Sequence, residues 1–600
     1  MPSPTSGYGP PTPASTSLLL STGPDTILNP TTGNYYVTTN ATGGFTIGVG
    51  DYACGTGSPQ QVYLYAIGGN PQVGGDNAAA GLMAVLGQCT ANTFSGLPAS
   101  IQMDEVTTVA AAYALAGYAG DATHMSGSNS ALAAQGMKNA ALSAANLADL
   151  GTGFALTATP NGNGSVPQSE INTLANILAS CINSSGPGSS ACTTLFSDAM
   201  NGSTAPIDTA TAAINIAHNP GVNVAALWSL SSATAPFQPS LSSAPNDWTI
   251  GVTYTGGGMT DSGGLAVDGS GDIWVANFGN YHGVSISELN PVGTPLSGSG
   301  FTGGGLDSPD GIAIDASGNV WLANFSNNSL SKFSSLGVAL SGSGYTGGGL
   351  NDPSALAIDT SGNVWVTNFN GPSLSKFSSL GVALSGSGYT GGGLSGPYGV
   401  AVSTSGDVWI ANLGTVLSRF DSSGSPVAGS PYSGGDIDDP LAVAIDASGN
   451  IWLADYTPWI SEFSSSGIAR SPSNGYTGGG VDHPGSIAID GVGNVWLSNA
   501  NSYTSGGGIV RTPGSRPALD GTTYSDSVTE FDSSGNPVSP STAYLSAGFN
   551  DLGDIVVDGS GNVWVSDINT NSLTELVGAA APVVTPLVTA VANHQLGTRP

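Results

Sequence analysis

Arg511 and Arg516 lie between Tyr503 and Tyr524 in the stretch NSYTSGGGIVRTPGSRPALDGTTYSDS, residues 501–527. Two guanidinium groups flanked by aromatic rings suit an anionic or sugar-like ligand, through charge-assisted hydrogen bonds and stacking. They stand out because Lys and Arg total 8 against 39 Asp and Glu. The competing reading is a solvated insertion that binds nothing. His282 and His483 complete the candidate ligand-binding set. General acid–base catalysis would need His, Glu or Asp converging in one pocket. Four of the six glutamates, Glu288, Glu462, Glu530 and Glu575, recur at one strand position, so no catalytic residue is assigned. No His-x-His or Cys-x-x-Cys pair offers metal-ligand spacing, and neither a metal nor another cofactor is expected. His218 closes a helix, where a cation suits the dipole, and reads as structural.

What must position these residues is a phrase repeated seven times: an apolar strand, a turn such as Asp-Ala-Ser-Gly-Asn, and a strand carrying Trp. The tryptophans are Trp274, Trp321, Trp365, Trp409, Trp452, Trp496 and Trp564, spaced 47, 44, 44, 43, 44 and 68 residues apart. A period near 44 with several short strands per unit predicts a β-propeller. A third strand follows each Trp strand, from VSISEL (284–289) to SLTEL (572–576). A fourth precedes each next unit, at Phe301, Tyr345, Tyr389, Tyr432, Tyr476 and Tyr544. The missing fourth strand is WTIGVTYTGGG at 248–258, so the last unit joins both ends of the domain and leaves no free edge. Seven blades over 247–578 are predicted.

The turn Asp (268, 315, 359, 446, 490, 558) caps a tight hairpin in which Gly takes positive φ. Calcium binding is the alternative, opposed by Ser403 in the fourth copy. One third-strand position reads Glu288, Lys332, Lys376, Arg419, Glu462, Glu530 and Glu575, which predicts ion pairs across the Glu288–Lys332 and Arg419–Glu462 boundaries. The long last spacing puts the insertion between the second and third strands of the sixth unit. That connection opens on the same face as the turn into each first strand, which groups His282 and His483 with the arginines. The stretch SLSKFSSLGVALSGSGYTGGGL occurs identically at 329–350 and 373–394, marking units two and three as framework.

Upstream, residues 1–70 read as β, with FTIGV (45–49) and QVYLYAI (61–67) as strands. Residues 71–232 read as helical, with Asp104 as an N-cap, an Ala-rich helix over 129–151, and further helices opened by Pro167 and Pro206. Residues 233–246 form a Pro/Ser linker and 579–600 a C-terminal tail. Cys54, Cys89, Cys181 and Cys192 all precede the propeller. Paired as Cys54–Cys89 and Cys181–Cys192 they imply an oxidising compartment; buried free thiols are the alternative.

Only 8% of residues are charged, against about 25% in ordinary soluble domains. A formal charge of −31 disfavours nucleic acid and anionic membrane surfaces, which need clustered cations. No stretch reaches the length of a membrane helix. Residues 1–17 show no signal peptide, and a truncated N-terminus is expected.

The phrases GIAIDASGNVWLAN and ALAIDTSGNVWVTN resemble NHL-type repeats and the streptogramin (virginiamycin B) lyase family of seven-bladed propellers, over residues 248–578. For the lyases the resemblance implies a His/Glu constellation with a magnesium ion at the ring face. With His282 and His483 alone in the propeller, no lyase residue carries over. TTNATGGFTIGVGDYAC resembles small transthyretin-like sandwich domains, of which residues 1–70 would be a part. The segments DEVTTVAAAYAL and NVAALWSL and the tail APVVTPLVTAVANHQLGTRP resemble uncharacterised secreted bacterial proteins, which implies export. The chain is therefore read as multidomain: a C-terminal all-β seven-bladed propeller, preceded by an α-helical domain and a partial β-sandwich. The expected function is that of an extracellular or cell-envelope interaction protein. Its ligand is an unknown small molecule, carbohydrate or protein, with no nucleic acid and no membrane insertion. The alternative is a propeller lyase or hydrolase related to streptogramin lyase.

Overall fold

The computed structural model describes residues 15–54, 60–71, 75–232, 235–279, 281–499 and 526–600. Its C-terminal part consists of antiparallel sheets of one design. In the first sheet, Ser262–Val267, Ile273–Asn277 and Ser285–Leu289 pair in order and Phe301–Thr302 adds a short fourth strand. The three-strand order recurs from Pro309, Pro353, Pro397, Pro440 and Pro484. There the fourth strand shrinks to isolated bridges, such as Leu330↔Tyr345. In the last sheet Leu552–Val557, Val563–Asp567 and Ser572–Leu576 are completed by Gly251–Thr255, in register from Gly251↔Leu576 to Thr255↔Ser572. Consecutive first strands touch, and the first strand of the last sheet lies against that of the first sheet. The sheets therefore close on themselves as a propeller, with the two ends of the domain locked in one ladder.

The Trp of each second strand is 0–1 % exposed and packs on the neighbouring sheet; Trp321, for example, shares a cluster with Ile358, Val364 and Phe377. Burying a ring of this size removes roughly 200 Å² from water, or about 5 kcal/mol before entropy is subtracted. A fourth-strand aromatic lies 5.6–5.9 Å from each Trp, centroid to centroid.

The upstream region differs from its sequence reading in several places. FTIGV (45–49) joins no ladder and runs as irregular chain between turns at Ala41–Thr42 and Val49–Asp51. GLMAVLGQCT (Gly81–Thr90), read as part of a helical region, is a strand paired with Gln60–Ile67. It packs partly buried beneath helix α1 (Glu105–Leu115), and this tertiary contact outweighs the helix propensity of Leu, Met and Ala. Asp104 caps α1 in a reciprocal box with Thr107. Helix α2 (Ala131–Leu147) ends before Gly151, because Ala148–Asp149 turns into a hairpin with Phe154–Ala155. Helices α3 (Gln168–Ile182), α4 (Ser190–Asp198), α5 (Thr209–His218) and α6 (Val224–Trp228) follow. Cys54–Cys89 and Cys181–Cys192 are disulfides, the second joining α3 to α4.

The helices and the ring share one apolar core, in which Val109, Ile177 and Ile214 meet Trp248, Val252 and Trp564. Gly164–Ser165 adds a strand to the last sheet by pairing with Thr253–Tyr254. Asn139 Nδ2 donates to Ser270 O at 2.7 Å and Tyr113 Oη to Trp248 O at 2.6 Å. Gly136 sits mid-helix because a Cβ there would come within 1.9 Å of the Gly559 carbonyl. Only a residue without a side chain allows α2 to lie this close.

Candidate functional site

Each sheet exposes two ends. One, the hairpin face, carries the turns between first and second strands. The other, the connection face, carries the links between second and third strands and the entry turns into the first strands.

The hairpin face is built from capped turns. Asp315 Oδ1 accepts the N–H groups of Ser317 and Asn319 at 3.0 and 2.9 Å, and Oδ2 accepts the Trp321 indole N–H at 3.2 Å. The same indole bond recurs at Asp359, Asp446, Asp490 and Asp558. The capping role is as expected from sequence; the indole bond was legible only as the constant spacing of six between Asp and Trp. Third-strand charges do not pair across sheet boundaries as anticipated. Lys332 binds Asp315 at 3.1 Å and Arg419 binds Asp407 at 2.8 Å, each within its own sheet. The reason is register: Lys332 lies directly opposite Trp321, and Arg419 opposite Trp409. Each cation therefore rests over its indole, at 4.5 and 5.0 Å from the centroid, beside the turn carboxylate. At three of the four Glu copies a fourth-strand Tyr hydroxyl donates to the carboxylate: Tyr476 to Glu462, Tyr544 to Glu530 and Tyr254 to Glu575. Glu575, wholly buried, is pushed up to about 8 by burial.

Helix α2 and the C-terminal tail cover this face. Thr585 Oγ1 donates to Asp268 O, Val583 N to Asp558 O and Ala581 N to the Asp490 carboxylate. Helix α7 (Leu587–Ala592) lays Val588 against the second and third sheets, while Val591 and Leu596 pack on the fifth. Arg599 Nη1 then reaches Gly117 O at 3.0 Å.

The connection face carries a run of aromatic rings. Phe278 meets Tyr281 at 4.8 Å and Phe325 at 6.3 Å; Phe325 meets Phe369 at 6.4 Å, and Phe369 meets Tyr398 at 6.2 Å. Phe278, Phe325 and Phe369 each follow the Asn that ends a second strand. Further round the ring, Tyr456 meets His483 edge-on at 5.0 Å. His483 holds Asp482 at 2.6 Å through Nδ1. It occupies a left-handed entry position (φ 50°) that recurs as Asp261, Ser308, Asp352, Asp439 and Asp551. His282 is exposed, in the connection of the first sheet. The last sheet lies between these two histidines. Tyr503, Arg511, Arg516 and Tyr524 lie outside the described residues. His218, on α5, is buried against Ala116 O at 2.9 Å, and burial pushes it down to about 4.

The ring is a β-propeller. No family model matches the chain, and no curated protein matches it. Among solved structures it is similar to virginiamycin B lyase from Staphylococcus aureus, at 15% identity and a TM-score of 0.40, over 54% of this chain and 98% of that one. It is also similar to a gluconolactonase from Xanthomonas campestris, at 13% identity and a TM-score of 0.32, over 55% and 89%. A lyase-type magnesium site does not fit the residues described. The histidines sit in separate sheets, and three of the four third-strand glutamates are bonded to tyrosines. Among the described residues no three His, Cys, Asp or Glu side chains converge as a metal site requires.

Proposed function

We propose that this chain is an exported ligand-binding protein, a seven-bladed propeller that binds a small molecule, carbohydrate or protein on its connection face. The observation that carries this reading is the asymmetry of the ring. Helix α2 and the tail cover the hairpin face, and the half-buried aromatic run lies on the opposite one. Loops held by a rigid scaffold are where binding residues concentrate. Aromatic rings with a few polar groups among them suit a ligand that presents a flat apolar or sugar-like surface. Asn499 and Ser527, which flank the 500–525 segment, pair at this same end, and Tyr503, Arg511, Arg516 and Tyr524 are proposed as ligand contacts with His282 and His483. The two disulfides favour an oxidising compartment, and no described helix is long and apolar enough to cross a membrane.

The test is a screen of glycans and small molecules against the full chain, followed by Phe325→Ala, Phe369→Ala and the pair Arg511→Ala, Arg516→Ala. These variants should weaken a hit about tenfold or more, equivalent to about 1.4 kcal/mol. Leu336→Ser, at an exposed position on the outer rim, should not. Hits insensitive to all the face variants, with the fold intact, would reject the reading.

A further inference from the structure

The second strand of every sheet ends in a buried latch. In five sheets it is Asn: Asn277, Asn324, Asn368, Asn412 and Asn499. Its Oδ1 accepts a backbone N–H from the entry turn at 3.1–3.3 Å. Its Nδ2 donates to a third-strand hydroxyl at 2.8–3.0 Å. In four of those five sheets that hydroxyl spends its own proton on a glycine carbonyl, as Ser331 does on Gly304 O at 2.9 Å. The amide thus begins a chain of donors, and the hydroxyl oxygen must receive a proton from it.

In the fifth sheet the latch is Asp455, fully buried. Its Oδ1 accepts from Asp438 N at 3.2 Å, as in the other copies. Ser461 again donates to glycine, Gly435 O, at 2.9 Å. Asp455 Oδ2, in the place of the amide nitrogen, has no hydrogen-bond partner. Ser461 could serve an ionised oxygen there only by turning its proton away from Gly435 O, as Thr574 gives its proton to Asp567 in the last sheet. A protonated one could donate, as the amide does.

We propose that Asp455 is held as a neutral carboxylic acid that donates to Ser461, and that its ionisation unlatches the connection face beside His483. The acids near it reinforce the neutral form, while a Ser461 hydrogen bond opposes it. Asp436, Asp438 and Asp439 lie on the entry turn packed over it, the third strand offers the uncharged Ser461, and the sixth sheet brings the Asp482–His483 pair beyond Tyr456. Burial first, aided by the Asp438 and Asp436 carboxylates, outweighs the opposing hydrogen bonds of Ser461 and the Asp438 N–H and holds the Asp455 carboxyl well above the usual range. A folded-state value raised in this way adds stability in acid that is lost as pH rises through it. The elements released are the entry turn at Asp438, held by Oδ1, and Tyr456, whose N–H bonds Asp439 O at 3.3 Å. Tyr456 is the ring on which His483 rests. This deepens the proposed binding role, making one sector of that face pH-dependent.

The experiment compares the full chain with Asp455→Asn, which restores the residue its sister sheets use, and with Ser461→Ala, which removes the acceptor. Hydrogen exchange of residues 436–440 and 455–460, corrected for the intrinsic rate, should rise at least about tenfold between acid and alkaline pH in the parent chain. It should rise less than about threefold in Asp455→Asn. The infrared carbonyl band of a protonated carboxyl should be lost in the same variant. Equal pH response in both proteins, or an ionised Asp455 at neutral pH, would overturn the proposal. So would a calcium-induced rise in the parent's Tm that Asp455→Asn lacks, which would make Asp455 a metal ligand. None of these results depends on a ligand being found, so they stand apart from the screen above.

Discussion

Asp315, Trp321 and Lys332 show how one carboxylate organises a sheet. It caps its hairpin, accepts the indole proton and neutralises the cation lying on the ring. Replacing Asp315 with Ala strands a buried indole N–H and a nearly buried ammonium, so denaturant unfolding should lose about 2–3 kcal/mol. Asp359→Ala in the copied neighbouring sheet should lose a similar amount; a negligible loss at both would contradict the assignment. Asp567 is the second Asp latch, and here Thr574 donates to it at 2.8 Å. Its carboxyl is pushed up to about 7, chiefly by burial. Because the folded value is the higher one, its contribution is present in acid and fades as pH rises through about 7. Asp567→Asn should therefore flatten the dependence of Tm on pH across that range, and an unchanged slope would refute the point. The turn Asp could be read from the repeat alone. The latch Asn stood in the same repeat but carried no chemical signature until its three partners were known.

At the scale of elements, repetition made the sheets legible, since each short strand was marked by its copies. The upstream strand Gly81–Thr90 had no copy, and its composition suits a helix equally well. The C-terminal tail gave no sign of its role either, because its contacts reach turns that are tens to hundreds of residues away. Removing residues 579–600 should expose apolar surface on the second, third and fifth sheets, lowering Tm and admitting proteases at the hairpin turns. A truncated chain of undiminished Tm would show that the tail is dispensable. The Cys181–Cys192 bridge should be worth about 2–4 kcal/mol to the helical region. Non-reducing peptide mapping that found free thiols would remove this claim.

For the whole molecule the balance of charge matters most. Asp272 is pushed up to about 7 and Glu288 to about 8, by burial and by neighbouring acids. Together with Glu575 these folded values exceed ordinary carboxylate values, so the folded chain holds protons that the unfolded chain would release. Stability should decline from mildly acidic to alkaline pH, and calorimetry finding the reverse would contradict these environments. The packing of helices, tail and ring into one body was not legible, because it rests on side chains such as Asn139 and Tyr113 meeting distant backbone carbonyls. It also gives the ring its two unequal faces, on which the functional reading depends. The most direct test is hydrogen exchange on the full chain with and without a hit from the ligand screen. Protection confined to the connection-face segments 277–285, 324–329, 368–373 and 482–486 is predicted. Protection centred instead on the hairpin turns 268–272, 315–319 and 558–562, or on the tail, would contradict it.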